Sequence, residues 1–167
     1  METPPFRMRT ATTADVDAVM KLCLESCEEN AFLTPNPVHI LQEVWPALER
    51  DHGIVGVIEG PKGLEGGVLL RVGKVWYSQE PVLEERAIFV GKEYRAAQGG
   101  RAKHLTDFSK KAADGLGIPL IIGVLSHSRT AAKVRLYERQ FGAPAGAFFL
   151  YGAQTGGWRA AAAEKAA

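Results

Sequence analysis

The chain has 167 residues and only two cysteines, Cys23 and Cys27, four positions apart with no histidine or further cysteine beside them. A helical pair of this kind lacks the ligands of a structural zinc site and reads as two small apolar residues on one face. The four histidines, His39, His52, His104 and His127, show no ligand spacing, so no metal is expected. An excess of either charge is also missing: 20 basic residues against 19 acidic give a net charge of +1. That balance argues against a nucleic-acid or membrane-surface partner. No apolar run approaches the roughly 20 residues that cross a bilayer, and "METPPFRMRT" holds no signal-peptide core. A cytoplasmic protein without a membrane partner is expected. Neither a G-x-G-x-x-G nor a G-x-x-x-x-G-K-[ST] turn is present, which sets aside the common nucleotide-binding α/β domains.

What is present is an ordinary globular balance, 46% hydrophobic and 23% charged, in a length suited to one domain. A single domain over 1–154 is expected, with the alanine-rich 155–167 as a tail. "FRMRTA" (6–11) alternates as a half-buried strand. Thr12 or Thr13 caps a helix with Val16, Met20, Cys23 and Cys27 on one face. A second helix from Val38 carries Ile40, Val44 and Leu48 inward, and Pro46 should kink or end it. Two strands joined by "PKGLE" follow, then a strand at 82–91. A helix to about Leu116, an almost wholly apolar strand at 119–126, a helix at 130–142 and a last strand at 145–154 complete the order. The connection between strands 82–91 and 119–126 is too long for a hairpin, so these two should be parallel. The fold class read from this order is mixed α/β (α+β): a mostly antiparallel sheet, helices on both faces, and a central parallel strand pair.

Two adjacent glycines, Gly99 and Gly100, separate strand 82–91 from the next helix in "EYRAAQGGRAKHL". Glycine lets backbone approach a bulky anion, and the first N–H groups of a helix have no partner within it. Amides from about Gln98 to Ala102 can converge on one anion, with Arg95 and Arg101 adding mobile positive charge. A plain strand-to-helix turn is the bland alternative.

The element order, this turn and the later "RLYERQFG" resemble the GNAT acyltransferase superfamily over roughly residues 6 to 154. Gly100-Arg101-Ala102 fits the second half of that family's R/Q-x-x-G-x-G/A turn, while Ala97 stands where Arg or Gln is usual, flanked by Arg95 and Gln98. The resemblance implies that acetyl-CoA is the acyl donor and that the turn holds its pyrophosphate. It also implies that the backbone of Phe89, Val90 and Gly91 pairs with the pantetheine arm, and that Ser126 or Ser128 replaces an asparagine contacting it. Ser128 could equally cap the next helix.

Tyr137 follows Leu136 at the position where the resemblance implies a tyrosine aimed at the CoA sulfur. A phenol with an ordinary pKa near 10 stays protonated and can donate to a departing thiolate. For the base, Glu84 and Glu85 are adjacent on one strand and so face opposite sides. Glu84 shares the parity of Val90 and is the first candidate, Glu85 the second. Phe32, Trp76 and Tyr77 are candidates for an apolar wall at the acceptor site, and Glu28 or Glu29 for attracting a cation. The expected activity is transfer of an acetyl group from acetyl-CoA to a primary amine by direct attack. The alternatives are a CoA-binding protein without turnover and a modifier of nucleobases. An apolar final strand at a sheet edge further suggests a homodimer.

Overall fold

A computed structural model describes residues 5–95, 99–126 and 129–152. Five strands lie side by side in chain order: β1 (Arg7–Thr10), β2 (Gly53–Gly60), β3 (Gly63–Lys74), β4 (Pro81–Val90) and β5 (Leu120–Ile121). The first four are mutually antiparallel, and β5 runs parallel to β4. Four helices accompany them: α1 (Val16–Asn30), α2 (Pro37–Leu48), α3 (Arg101–Leu116) and α4 (Thr130–Phe141).

The strand alternation divides the core in two. On one face Val19, Leu22 and Cys23 of α1 and Val44, Ala47 and Leu48 of α2 pack against Val55, Val57, Leu69 and Phe89. On the other, Leu105 and Ala113 of α3 cover Ile58, Val68, Leu70 and Leu83. Each fully buried aliphatic side chain contributes on the order of 1.5–3 kcal/mol. Of the residues expected inward on α2, Val44 and Leu48 are buried, Ile40 packs at the margin and Ala47 joins them; on α3, Phe108 and Ala112 pack partly buried against the cluster that holds Leu105. In α1 the buried stripe is centred on Val19, Leu22 and Cys23, with Val16 and Met20 at its margin. A bidentate pair from Arg9 to Asp15, 2.8 Å for each bond, ties β1 to the turn that opens α1. Thr12 N–H donates to the same Asp15 carboxylate. Pro46 lies inside α2, which ends two residues later at Leu48.

Two expected strands are corrected. The apolar run 119–126 forms only Leu120–Ile121, and Ile121 is 44% exposed. The stretch 145–152 contains no strand, and Phe149 is 95% exposed. A strand needs a ladder partner for its backbone. With β5 two residues long, little edge exists for a sixth strand, and hydrophobicity alone could not show this. The expected 155–167 tail and residues 153–154 lie outside the described residues.

Candidate active site

The site is organised by one irregularity in β4. Ala87 pairs with Leu69 and Glu85 with Leu70, so Arg86 is an extra residue on β4. Such a bulge reverses the alternation beyond it. Leu83 lies on the α3 face, and so do Ile88 and Val90, although their numbers differ in parity. Glu85, opposite Leu70, shares that face, whereas Glu84, opposite Arg71, is on the side of α1 and α2. The expected sharing of a face by Glu84 and Val90 is therefore corrected: the bulge gives that place to Glu85. Glu84 is instead in an ion pair with Arg86 at 3.2 Å.

Glu85 is half-buried and closely surrounded by protein atoms. Burial pushes its pKa up to about 7, while a 3.4 Å hydrogen bond donated by Gly123 N–H works the other way. From α4, Tyr137 comes within electrostatic range. Burial raises its pKa well above the usual phenol value, and the negative charge of Glu85 adds to the effect. Tyr137 also packs edge-on against Phe141, with ring centroids 5.9 Å apart.

Beyond Leu83–Leu120 and Glu84–Ile121, β4 and β5 form no further ladder pairs among the described residues. Gly91 N–H donates to Glu65 O of β3 at 2.8 Å. By strand alternation Phe89 also turns its backbone to β3, and Val90 turns its own to the opposite edge of β4. Of the three residues expected to meet an extended arm, only Val90 has this orientation. Its carbonyl accepts from Arg95 Nε at 2.9 Å, and the Arg95 guanidinium also pairs with Glu29.

The glycine turn has the backbone its sequence suggests. Gly99 has φ +113° and Gly100 φ +60°, the left-handed region that favours glycine. A side chain at Gly99 would meet the Phe6 ring at 2.8 Å. Gly100 caps α3, and its carbonyl accepts the first full-turn bond, from His104 N–H. The N–H groups of Ala102 and Lys103 thus stand in the first turn of α3, ahead of that bond. Gln98, Ala97, Ser128 and His127 lie outside the described residues.

Arg101 is corrected. It is 8% exposed, hydrogen-bonded through Nε to the buried Glu65 at 2.6 Å, and stacked on Phe6 and Tyr94. It is a structural cation beneath the turn, not a mobile one above it. Glu28 and Glu29 are likewise taken up, by Lys92 at 3.8 Å and by Arg95. Trp76 and Tyr77 meet edge to face at the β3–β4 turn and are 95% and 73% exposed, so they form no wall there.

Sequence reasoning passed over two features. Lys133, one helical turn before Tyr137, donates to Asn30 Oδ1 at 2.9 Å and Ser126 Oγ at 3.2 Å. Burial and then the charge of Arg95 lower its pKa, with Glu29 opposing and Arg129 adding to the fall. The other is a cavity of about 350 Å³ on the α1/α2 side of β4. Cys23 and Leu69 are buried at its floor, Ile40 and Ala87 are half-buried, and Glu43 and Arg86 stand at its rim. One signal pointed here: "LEER" puts three charges in a row inside an apolar strand, which strict alternation does not produce.

No protein-family profile matches the chain, and no curated protein sequence does. Solved structures match well. An aminoglycoside acetyltransferase from an uncultured soil metagenomic sample, in complex with trehalose, has TM-score 0.64 at 15% identity, over 88% of this chain and 95% of that one. AAC(6')-Iy, in complex with the bisubstrate analog CoA-S-monomethyl-acetylneamine, has TM-score 0.66 at 16% identity, over 87% and 96%. The ribosomal-protein-alanine N-acetyltransferase of Brucella melitensis biovar Abortus has TM-score 0.64 at 14% identity, over 87% and 97%. At such identities the likeness is one of fold, and it covers nearly the whole of each chain.

Proposed function

From the GNAT acetyltransferase fold that this chain shares with those structures, we propose that it is an N-acetyltransferase carrying an acetyl group from acetyl-CoA to a primary amine. The observation that carries this reading is the short β4–β5 ladder, which ends at Glu84–Ile121. The Val90 backbone is turned to the side of β4 that lies beyond this ladder, and Glu85 of β4 and Tyr137 of α4 lie in electrostatic range of each other. An extended amide-bearing arm can use the Val90 backbone once Arg95 releases its carbonyl. The glycine turn at the N-terminus of α3, where the helix dipole favours negative charge, suits a pyrophosphate.

In the proposed reaction the amine arrives as an ammonium and must lose a proton before it attacks the thioester. A carboxylate with a pKa of about 7 is suited to take it, so Glu85 is assigned as base, in preference to Glu84. The amine nitrogen then bonds to the carbonyl carbon, the C–S bond breaks, and Tyr137 protonates the leaving sulfur. Protonation of Glu85 removes the nearby negative charge that holds the Tyr137 proton. The base therefore makes the acid stronger when the acid is needed. The phenol regains a proton from the new amide nitrogen as its positive charge is lost. Placement in the cytoplasm belongs to the same reading; among the described residues no helix is long and apolar enough to cross a membrane.

The test is calorimetric titration with acetyl-CoA, followed by measurement of thiol release against a panel of amines. Micromolar or tighter binding with amine-dependent thiol release supports the proposal. Tight binding with no turnover of any amine favours the non-catalytic alternative.

A further inference from the structure

Ser126, past the end of β5, and Lys133, in the first turn of α4, meet in a way that direct transfer to an amine leaves unused. Lys133 Nζ stands 3.2 Å from Ser126 Oγ and 2.9 Å from the Oδ1 of Asn30, the last residue of α1. Thr130 Oγ1 donates to Ser126 O at 2.7 Å and lies 3.3 Å from Ser126 Oγ, so the serine is held against the start of α4. Ser126 and Lys133 are both half-buried. Lys133 and Tyr137 are four residues apart in one helix and share a face of it.

A lysine in an ordinary setting is an ammonium and has no lone pair to offer. The surroundings of Lys133 favour the neutral amine. Burial lowers its pKa most, and the charge of Arg95, past the end of β4, adds to the fall; Glu29 of α1 opposes it and Arg129, one turn before Lys133, adds again. Glu29 is itself paired with Arg95, and the Asn30 and Ser126 partners of Lys133 carry no charge. Once neutral, the amine can keep one N–H on Asn30 and turn its lone pair to the Ser126 hydroxyl. A nucleophile and a base within hydrogen-bond reach, with the base oriented by a third group, is the arrangement that activates a serine.

We propose that Ser126 and Lys133 are a second catalytic pair, in which Ser126 Oγ takes an acyl group from a small ester or thioester and water then releases it. The Ser126 hydroxyl proton passes to the neutral Lys133 amine as Oγ bonds to the carbonyl carbon. The C–O or C–S bond breaks, and the leaving oxygen or sulfur takes that proton from Lys133. Water then gives a proton to the same amine and attacks the Ser126 ester, and Oγ departs with the proton restored to it. The net reaction is hydrolysis. It goes beyond the amine-transfer reading and does not require it.

In the experiment the full chain is mixed with p-nitrophenyl acetate, or with acetyl-CoA and no amine, then quenched in acid and mapped by mass spectrometry. The expected result is an acetyl ester on Ser126, cleaved by alkaline hydroxylamine, with hydrolysis continuing above the spontaneous rate. That rate should rise with pH and reach its plateau below the usual lysine value of 10.5. Lys133→Arg keeps the charge but cannot give up its proton, so acylation should fall by about 10²-fold or more with an unchanged circular dichroism spectrum. Lys133→Gln removes the base without adding bulk and should fall alike. Acylation of Ser126 that survives both variants overturns the proposal, as does acetyl found on Lys133 instead, as an amide that resists hydroxylamine. If acetyl-CoA binds by calorimetry but neither donor acylates Ser126 or is hydrolysed above background, the pair fails and the amine-transfer reading stands. If p-nitrophenyl acetate acylates Ser126 in a protein that does not bind acetyl-CoA, the amine-transfer reading fails and the pair stands.

Discussion

Glu85 of β4 and Tyr137 of α4 are electrostatically coupled: the carboxylate's charge adds to burial in holding the proton on the phenol. One residue comes from before the glycine turn and the other from the last helix, so the fold alone brings them together. Tyr137→Phe removes one oxygen and leaves the ring contact with Phe141. Acetyl-CoA affinity should barely change, while kcat falls by about 10²–10⁴-fold. Stopped-flow measurement of thiol release decides the matter, and a wild-type rate in the variant reduces Tyr137 to a packing residue.

Glu85 should leave a signature in both rate and stability. As the base it must be ionised, so kcat/KM should rise with pH through about 7 and level off above it. For stability the sign is opposite. The folded-state pKa lies above the unfolded value, so between the two the native protein binds more protons than the unfolded chain. The cost of ionising Glu85 is thus absent at low pH and complete above about 7. Glu85→Gln should therefore melt higher than wild type at pH 8, with the difference shrinking toward pH 5. Scanning calorimetry across that range would reveal an equal or lower melting temperature if the site is not as buried as described.

At the turn, Gly100→Val should weaken acetyl-CoA binding by tenfold or more. A β-branched residue at φ +60° is strained, although no atom stands closer than 3.8 Å to the added carbon. The harm would come from displacing the start of α3. Unchanged affinity in a folded variant would remove the anion site from this turn.

Arg101→Ala is expected to be a stability mutation first. Removing one member of a buried ion pair leaves the Glu65 carboxylate uncompensated, at a cost of roughly 3–5 kcal/mol. Urea denaturation measures this directly, and a loss below about 1 kcal/mol would mean that Arg101 is not the buried partner seen here.

Self-association is the expected fate of the apolar stretch near the C-terminus. Phe148, Phe149 and Tyr151 are 76%, 95% and 100% exposed, more apolar surface in one place than a lone soluble chain usually presents. Light scattering should report a dimer mass, and a monomer at all concentrations would refute it.

The layered core could be read from residue spacing because its signals are local. Leu105, Phe108 and Ala112 repeat at helical intervals, and the tight turn after "GIVGVIEG" announces a hairpin. The site was legible only where its chemistry is local too, as in Gly99-Gly100. Arg101 looked like a free cation because its partner Glu65 is 36 positions away on another strand. Glu84 was preferred to Glu85 because counting by twos assumes an unbroken ladder, and one extra residue at Arg86 defeats the count.

Position 86 should tolerate substitution and resist deletion. A changed side chain there alters only what stands at the rim of a cavity. A missing residue would restore strict alternation along β4, and either Pro81–Glu85 or Ala87–Val90 would have to turn over. In the first case Leu83, fully buried under α3, would swing to the opposite layer, and Glu85 would leave Tyr137 for the cavity side. The length of this strand, counted in single residues, is therefore as much a determinant of the chemistry as any side chain it carries.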